Sequence, residues 1–227
     1  MVFLALIIYY FLVFSKIRFN TKAIWFGVVI LLFFGILFSS KIKERFFVEI
    51  HTNTVENSVN TSIKEGNVYN ISVNQAWNKQ RFETNQYFPG TALRVYQIRI
   101  FKEMLLEDPI FLTGYGLNAS TFRIIEKRKE HNLYFGYDNF NFHNQYIQFF
   151  AELGIFGLVL IITMLVLNLK NALKSKDFIH ISFSILMISL FLTESFLSRQ
   201  RGIVFFTIMY CLFNSGSTIA IQTKNNK

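Results

Sequence analysis

The side chains in this sequence best suited to chemistry are one histidine and several arginines. His143 stands in Phe142-His143-Asn144-Gln145-Tyr146, directly before an apolar run. Glu152 follows about two and a half helical turns deeper. Histidine, with an ordinary pKa of about 6.5, can take a proton from a hydroxyl near neutral pH. An ionisable residue inside an apolar helix is costly and points to function by default. Arg94, Arg99 and Lys102 form a basic group on a predicted loop helix. Glu194, Arg199 and Arg201 form another between two apolar blocks. Arginine stays charged at any pH and grips phosphate through two parallel hydrogen bonds. One histidine and several arginines at a membrane surface would suit a lipid-linked phosphate or pyrophosphate. The cations would hold the phosphates and balance charge growing on the leaving group. The histidine would deprotonate or orient an attacking hydroxyl. Such a reaction needs neither nucleotide nor metal. The same residues also read as anchors: His143, Asn144 and Tyr146 at the headgroup level, and Glu194 with Arg199 or Arg201 as an internal pair.

Those side chains must be carried by membrane helices. The chain has 227 residues, of which 52% are hydrophobic and 28 are Phe, with a formal charge of +9. Apolar residues gather in blocks at the two ends, and charges concentrate between residues 41 and 138. That segregation argues against a water-soluble globule and for a multi-spanning membrane protein. No Lys/Arg-rich run dominates, which speaks against nucleic acid. A lone cysteine, Cys211, and four dispersed histidines exclude a disulfide framework and a metal site of those residues.

Five blocks are predicted membrane helices: Val2–Phe14, Ala23–Ser39, Ile147–Leu169, Phe178–Leu197 and Gly202–Ile221. The first is short, because crossing needs roughly 20 residues. It is also no signal peptide, since its basic residues Lys16, Arg18 and Lys22 follow the apolar run. Short basic loops set orientation. Placing 15–22, 170–177 and the 222–227 tail in the cytoplasm puts residue 1 and the 41–142 segment outside. The expected organisation is two membrane helices in 1–40, a large external loop in 41–142, and three helices in 143–221. The fold class is therefore all-α integral membrane, with a mixed, mostly helical loop. A short first helix starting outside is a poor beginning for an inserted chain. It carries the expectation that this is the C-terminal part of a larger protein.

Within the loop, Ser58–Val73 alternates polar and β-branched residues around Lys64-Glu65-Gly66-Asn67, a predicted hairpin. Thr91–Glu107 reads as a helix capped by Thr91, with Leu93, Ile98, Phe101 and Leu105 near one face. Pro109 ends it, Gly114-Tyr115-Gly116 turns, and Thr121–Glu130 is a second helix. Its run Glu126-Lys127-Arg128-Lys129-Glu130 reads as a solvated face. His51 and His131 have no evident companion.

At these residues the chain resembles the C-terminal region of the O-antigen ligase and O-antigen polymerase superfamily. Arg94 opens a helix running through Leu106-Glu107-Asp108-Pro109 into Gly114-Tyr115-Gly116-Leu117-Asn118. His143-Asn144-x-Tyr146 is followed by Ala151-Glu152-Leu153-Gly154-Ile155-x-Gly157, the most specific element. Glu194 then precedes an arginine-bearing turn and a last apolar block. The resemblance spans roughly residues 90–210. It implies a metal-independent membrane glycosyltransferase of the bacterial inner membrane, without cofactor, its large loop periplasmic. Its donor would be a glycan on undecaprenyl diphosphate, and its acceptor lipid A–core, another repeat unit or protein. By that likeness Arg94 contacts the diphosphate, His143 assists the acceptor hydroxyl, and Gly114 and Gly116 shape the backbone between them. Asn144, Glu152 and Glu194 are supporting candidates, and Arg199 and Arg201 further phosphate candidates in a looser part of the pattern. The family's Ser-Arg-Gly would fall just before Met1.

Three function classes meet these residues. A ligase and a repeat-unit polymerase share the Arg and His pattern. A transporter would show internal repeats and Gly/Pro-broken helices, but Pro89 and Pro109 both lie in the loop. A membrane-anchored binding domain would need a 41–142 segment with a strong core of its own.

Overall fold

The computed structural model of this protein describes residues 2–14, 19–37, 69–138 and 140–225. It is mostly helical. The chain forms two compact units, one of residues 1–33 and 159–227, the other of residues 34–158.

In the first unit, α1 (Val2–Tyr9) runs into a π-helical turn (Tyr10–Phe14), and α2 covers Phe19–Leu37. The later helices are α6 (Gln145–Ser175), shared between the units, α7 (Phe178–Phe191) and α8 (Gln200–Asn225). Among the described residues α6 is the helix long and apolar enough to cross a membrane. The predicted fourth span stops at Phe191 rather than Leu197. Its 14 residues cover only about 21 Å at the helical rise. A left-handed Lys176 (φ 55°) ends α6. The Asp177 side chain then accepts the Ile179 N–H at 2.9 Å and caps α7.

Aromatic packing and buried hydrogen bonds join these helices. Phe supplies the packing: Tyr10 and Phe14 lie on Phe178, with centroids 4.9 and 5.6 Å apart. Buried polar side chains supply the bonds. Asn168 contacts the His180 ring at 3.0 Å, donates to Ser184 and accepts from Asn214, both at 2.8 Å. Asn171 also donates to Asn214 at 2.8 Å. Side chains from α6, α7 and α8 thus meet in one network.

The second unit has an aromatic core of its own. Ile71, Phe82, Phe88, Tyr96, Ile100, Met104, Ile124, Tyr137 and Phe142 pack together within it. In water this burial is the main stabilising force, at about 25 cal/mol per Å² of apolar surface. Most of the predicted hairpin, residues 58–68, lies outside the described residues. Its far end is β1 (Tyr69–Asn70), which pairs in parallel with β2 (Gln86–Tyr87). A short α3 (Val73–Asn78) is closed by a capping box between Ser72 and Gln75. The two predicted loop helices are α4 (Gly90–Glu107) and α5 (Ser120–Glu130). Thr91 does not cap α4, whose N-cap is Pro89. The buried face of α4 carries Ala92, Leu93, Tyr96, Ile100 and Met104. Ile98 is 41% exposed, so the expected apolar face is rotated.

The expected solvated face of α5 is corrected by the fold. Ser120, Ile124 and Arg128, four residues apart, line a buried stripe, and Lys127 is buried beside it. Lys127 Nζ binds Glu107 at 2.6 Å and Glu130 at 2.7 Å. These pairs allow an ammonium group to be buried where it would otherwise be strongly penalised.

Candidate functional site

The likeness noted in the sequence links two glycine-bearing motifs that are far apart in the chain, and the fold interlocks them. At Gly154 the backbone of α6 leaves the helix, with φ 66° and ψ −160°. In an unbroken helix the Ala151 and Glu152 carbonyls would accept from Ile155 and Phe156. Here Tyr115 N–H takes the Ala151 carbonyl at 2.8 Å, and Gly116 N–H takes that of Glu152 at 2.9 Å. Ile155 N–H donates instead to the Phe111 carbonyl at 2.8 Å. The turn after α4 therefore replaces the hydrogen bonds that the helix break removes. Tyr115 further fixes the turn by donating its hydroxyl to Asp108. That bond, joined by Arg123, holds the Asp108 carboxyl below its ordinary range against the opposing effect of burial.

Glu152 is held from the same side. Its Oε1 accepts from Gln148 Nε2 at 2.5 Å and from Ser120 Oγ at 3.4 Å. It thereby ties α6 to the start of α5.

His143 immediately precedes α6 in a left-handed conformation (φ 46°). Its N–H donates to Asn141 Oδ1 at 3.0 Å, and its ring lies 5.6 Å from that of Phe140. Asn144 accepts the Ile147 N–H on its side chain at 3.1 Å, an N-cap for α6. Arg94 lies in the first turns of α4 and donates to the Gly90 carbonyl at 3.3 Å. One turn further along α4, the Gln97 side chain grips the Asn141 carbonyl at 2.5 Å. Arg94 and His143 therefore sit on directly joined segments, together with Gly114, Gly116, Asn144 and Glu152. Arg99 is buried and structural, donating to the Lys79 carbonyl at 2.6 Å and to Glu103 at 2.8 Å. Glu194, Arg199 and Arg201 belong to the other unit, at the turn between α7 and α8, where both arginines are exposed.

Some buried polar residues escaped the sequence reading. His131 does have companions: Nδ1 lies 3.0 Å from the Tyr96 hydroxyl and Nε2 lies 3.3 Å from Glu103. Burial holds the His131 pKa below its ordinary value, outweighing the pull of Glu103. The unfolded chain therefore binds the proton more readily than the folded one. Stability of this unit is complete above about pH 6.5 and falls as pH drops through that value toward the lowered folded pKa. Denaturant unfolding at pH 7.5 and 5.5 should show this loss, and His131→Gln should flatten the difference. An equal loss in His131→Gln would assign the effect to other groups.

The chain is mostly helical, and among the described residues one helix is long and apolar enough to cross a membrane, which is compatible with an integral membrane protein. The comparison with known families agrees: residues 1–162 match the O-antigen ligase family, and the chain belongs to it. Members of this family are integral membrane enzymes that transfer glycosyl groups in polysaccharide and lipopolysaccharide biosynthesis. No curated protein and no solved structure matches the chain. The family match includes Arg94, Gly114, Gly116, His143, Asn144 and Glu152, and ends before Glu194, Arg199 and Arg201.

Proposed function

We propose that this protein transfers a glycan from an undecaprenyl diphosphate carrier to an acceptor hydroxyl, as in ligation to lipid A–core. The acceptor oxygen attacks the anomeric carbon, and the bond from that carbon to the diphosphate oxygen breaks. Undecaprenyl diphosphate leaves with the bonding electrons. His143 accepts the hydroxyl proton, and Arg94 stabilises the charge that develops on the diphosphate. The observation that favours this reading is the placement of His143 at the head of the membrane-length helix, on a segment joined to the helix bearing Arg94. Polymerisation of repeat units would use the same bond changes with a different acceptor. Arg199 and Arg201 are left outside the assigned site, because the family match ends short of them.

The proposal includes the five-span topology, with the 41–142 segment on the periplasmic face of the bacterial inner membrane. A bilayer supplies the prenyl tail of the donor. Arg94→Ala, assayed in proteoliposomes with undecaprenyl-diphosphate-linked glycan, should lower kcat/KM for the donor about tenfold or more. Removing a charge-assisted phosphate contact costs about 1.5–3 kcal/mol. Arg94→Lys should recover part of that loss, since a point charge remains without the paired donors. An unchanged kcat/KM for the donor in Arg94→Ala would remove Arg94 from the site.

A further inference from the structure

The carbonyls of Tyr137, Phe140 and Asn141, just ahead of α6, are held from two helices. Arg128 on α5 donates Nη1 to the Tyr137 carbonyl and Nη2 to the Phe140 carbonyl, the latter at 2.6 Å. Gln97 on α4 donates to the Asn141 carbonyl at 2.5 Å. The Asn141 side chain then receives the His143 N–H at 3.0 Å, and the Phe140 ring packs against the imidazole. Both holding side chains are buried, Arg128 at 1% exposure and Gln97 at 0%.

Neither feature is expected of ordinary loop packing. Burying a guanidinium is costly even after it is hydrogen-bonded. Here its hydrogen bonds go to backbone carbonyls, and burial lowers its pKa to about 10, which keeps it charged at neutral pH. Left-handed backbone in a residue with a Cβ costs about 1–3 kcal/mol and persists where its surroundings over-determine it. His143 is such a residue, and the grip of Arg128 and Gln97 on the preceding carbonyls supplies that determination.

We infer that Arg128 and Gln97 are positioning residues that fix the Tyr137, Phe140 and Asn141 carbonyls and so aim the His143 imidazole. This rests on the reading of His143 as the proton acceptor, but the clamp itself can be tested without turnover. Arg128→Lys keeps the charge but loses the paired donors. Gln97→Leu removes one donor at similar volume.

The test is histidine-selective 15N NMR of the full chain in lipid nanodiscs, with assignment by single His→Gln variants. In both variants the His143 ring signals should shift or broaden, while the His180 signals stay as in the parent. Glycan transfer should fall about tenfold or more at unchanged donor KM, as expected when a reacting group is misplaced by a fraction of an ångström to one ångström. His143 signals matching the parent's in both variants would overturn the inference. A parent that transfers no glycan would sink the proposed function and leave the ring signals to decide the clamp. If Arg128→Lys fails to fold, Gln97→Leu decides alone.

Discussion

His143→Ala is expected to lower glycan transfer steeply while the protein still inserts in the membrane and keeps its fold. The expected loss is about a hundred- to ten-thousandfold in kcat, the usual contribution of a positioned general base. Two structural facts separate this from a general weakening. The backbone of α6 is capped by Asn144, not by His143, so removing the imidazole leaves the helix start intact. The His143 N–H bond to Asn141 comes from the backbone and survives the substitution. Alanine also relieves none of the left-handed strain, because it retains a Cβ, so stability should change little. The measurement is transfer of a labelled glycan in proteoliposomes, alongside thermal unfolding in detergent. Parent-level transfer by His143→Ala would remove it from the chemistry. A large fall in unfolding temperature would assign it a structural role instead.

Gly154→Ala should have the largest effect on the fold. A Cβ built there would lie 2.2 Å from the Leu112 carbonyl oxygen and 2.7 Å from the Thr113 nitrogen. Those are backbone atoms and cannot rotate away. The φ of 66° with ψ near −160° is also a conformation that only glycine adopts readily. Overpacking and backbone strain each cost about 1–3 kcal/mol, giving a combined loss of about 2–6 kcal/mol. For a chain of this size that lowers the unfolding temperature by roughly 10 °C. Gly114→Ala meets the reciprocal obstacle, the Glu152 carbonyl carbon at 2.3 Å, so the two substitutions should behave alike. Gly35→Ala is the control, because among the described residues nothing lies within 4 Å of its added Cβ. Alanine at Gly35 should be neutral or slightly stabilising, as alanine generally is in a helix. Equal effects at Gly154 and Gly35 would show that the interlocked turn is not the rigid joint described above.

Much of the candidate site is proposed from local signals in the chain. A histidine and an asparagine before a long apolar run mark the start of a membrane-length helix. Arg94 shows itself as a cation on a periodic helix that Pro109 terminates. Other features depend on contacts between distant segments. Arg128 reads as solvated because its neighbours in sequence are charged, and burial is set by the helices packed across it. The four-residue spacing of Ser120, Ile124 and Arg128 was the available clue. His131 looked isolated because Tyr96 and Glu103 lie some thirty residues earlier in the chain and meet it only across packed helices. The core of the second unit was similarly hidden, since its aromatic residues are spread among polar ones with no helical or strand period.

By itself the sequence determined the class of this protein, its helical character, the family it belongs to and the candidate pair Arg94 and His143. These follow from hydropathy, from side-chain chemistry and from short motifs, all of which act over a few residues. The tertiary structure alone decided that the two glycine motifs exchange backbone hydrogen bonds, and that a buried arginine and glutamine hold the segment leading to His143. Such arrangements depend on where carbonyls and donors meet after packing. A carbonyl has no side-chain signature, so its partner can be identified only once the chain has folded.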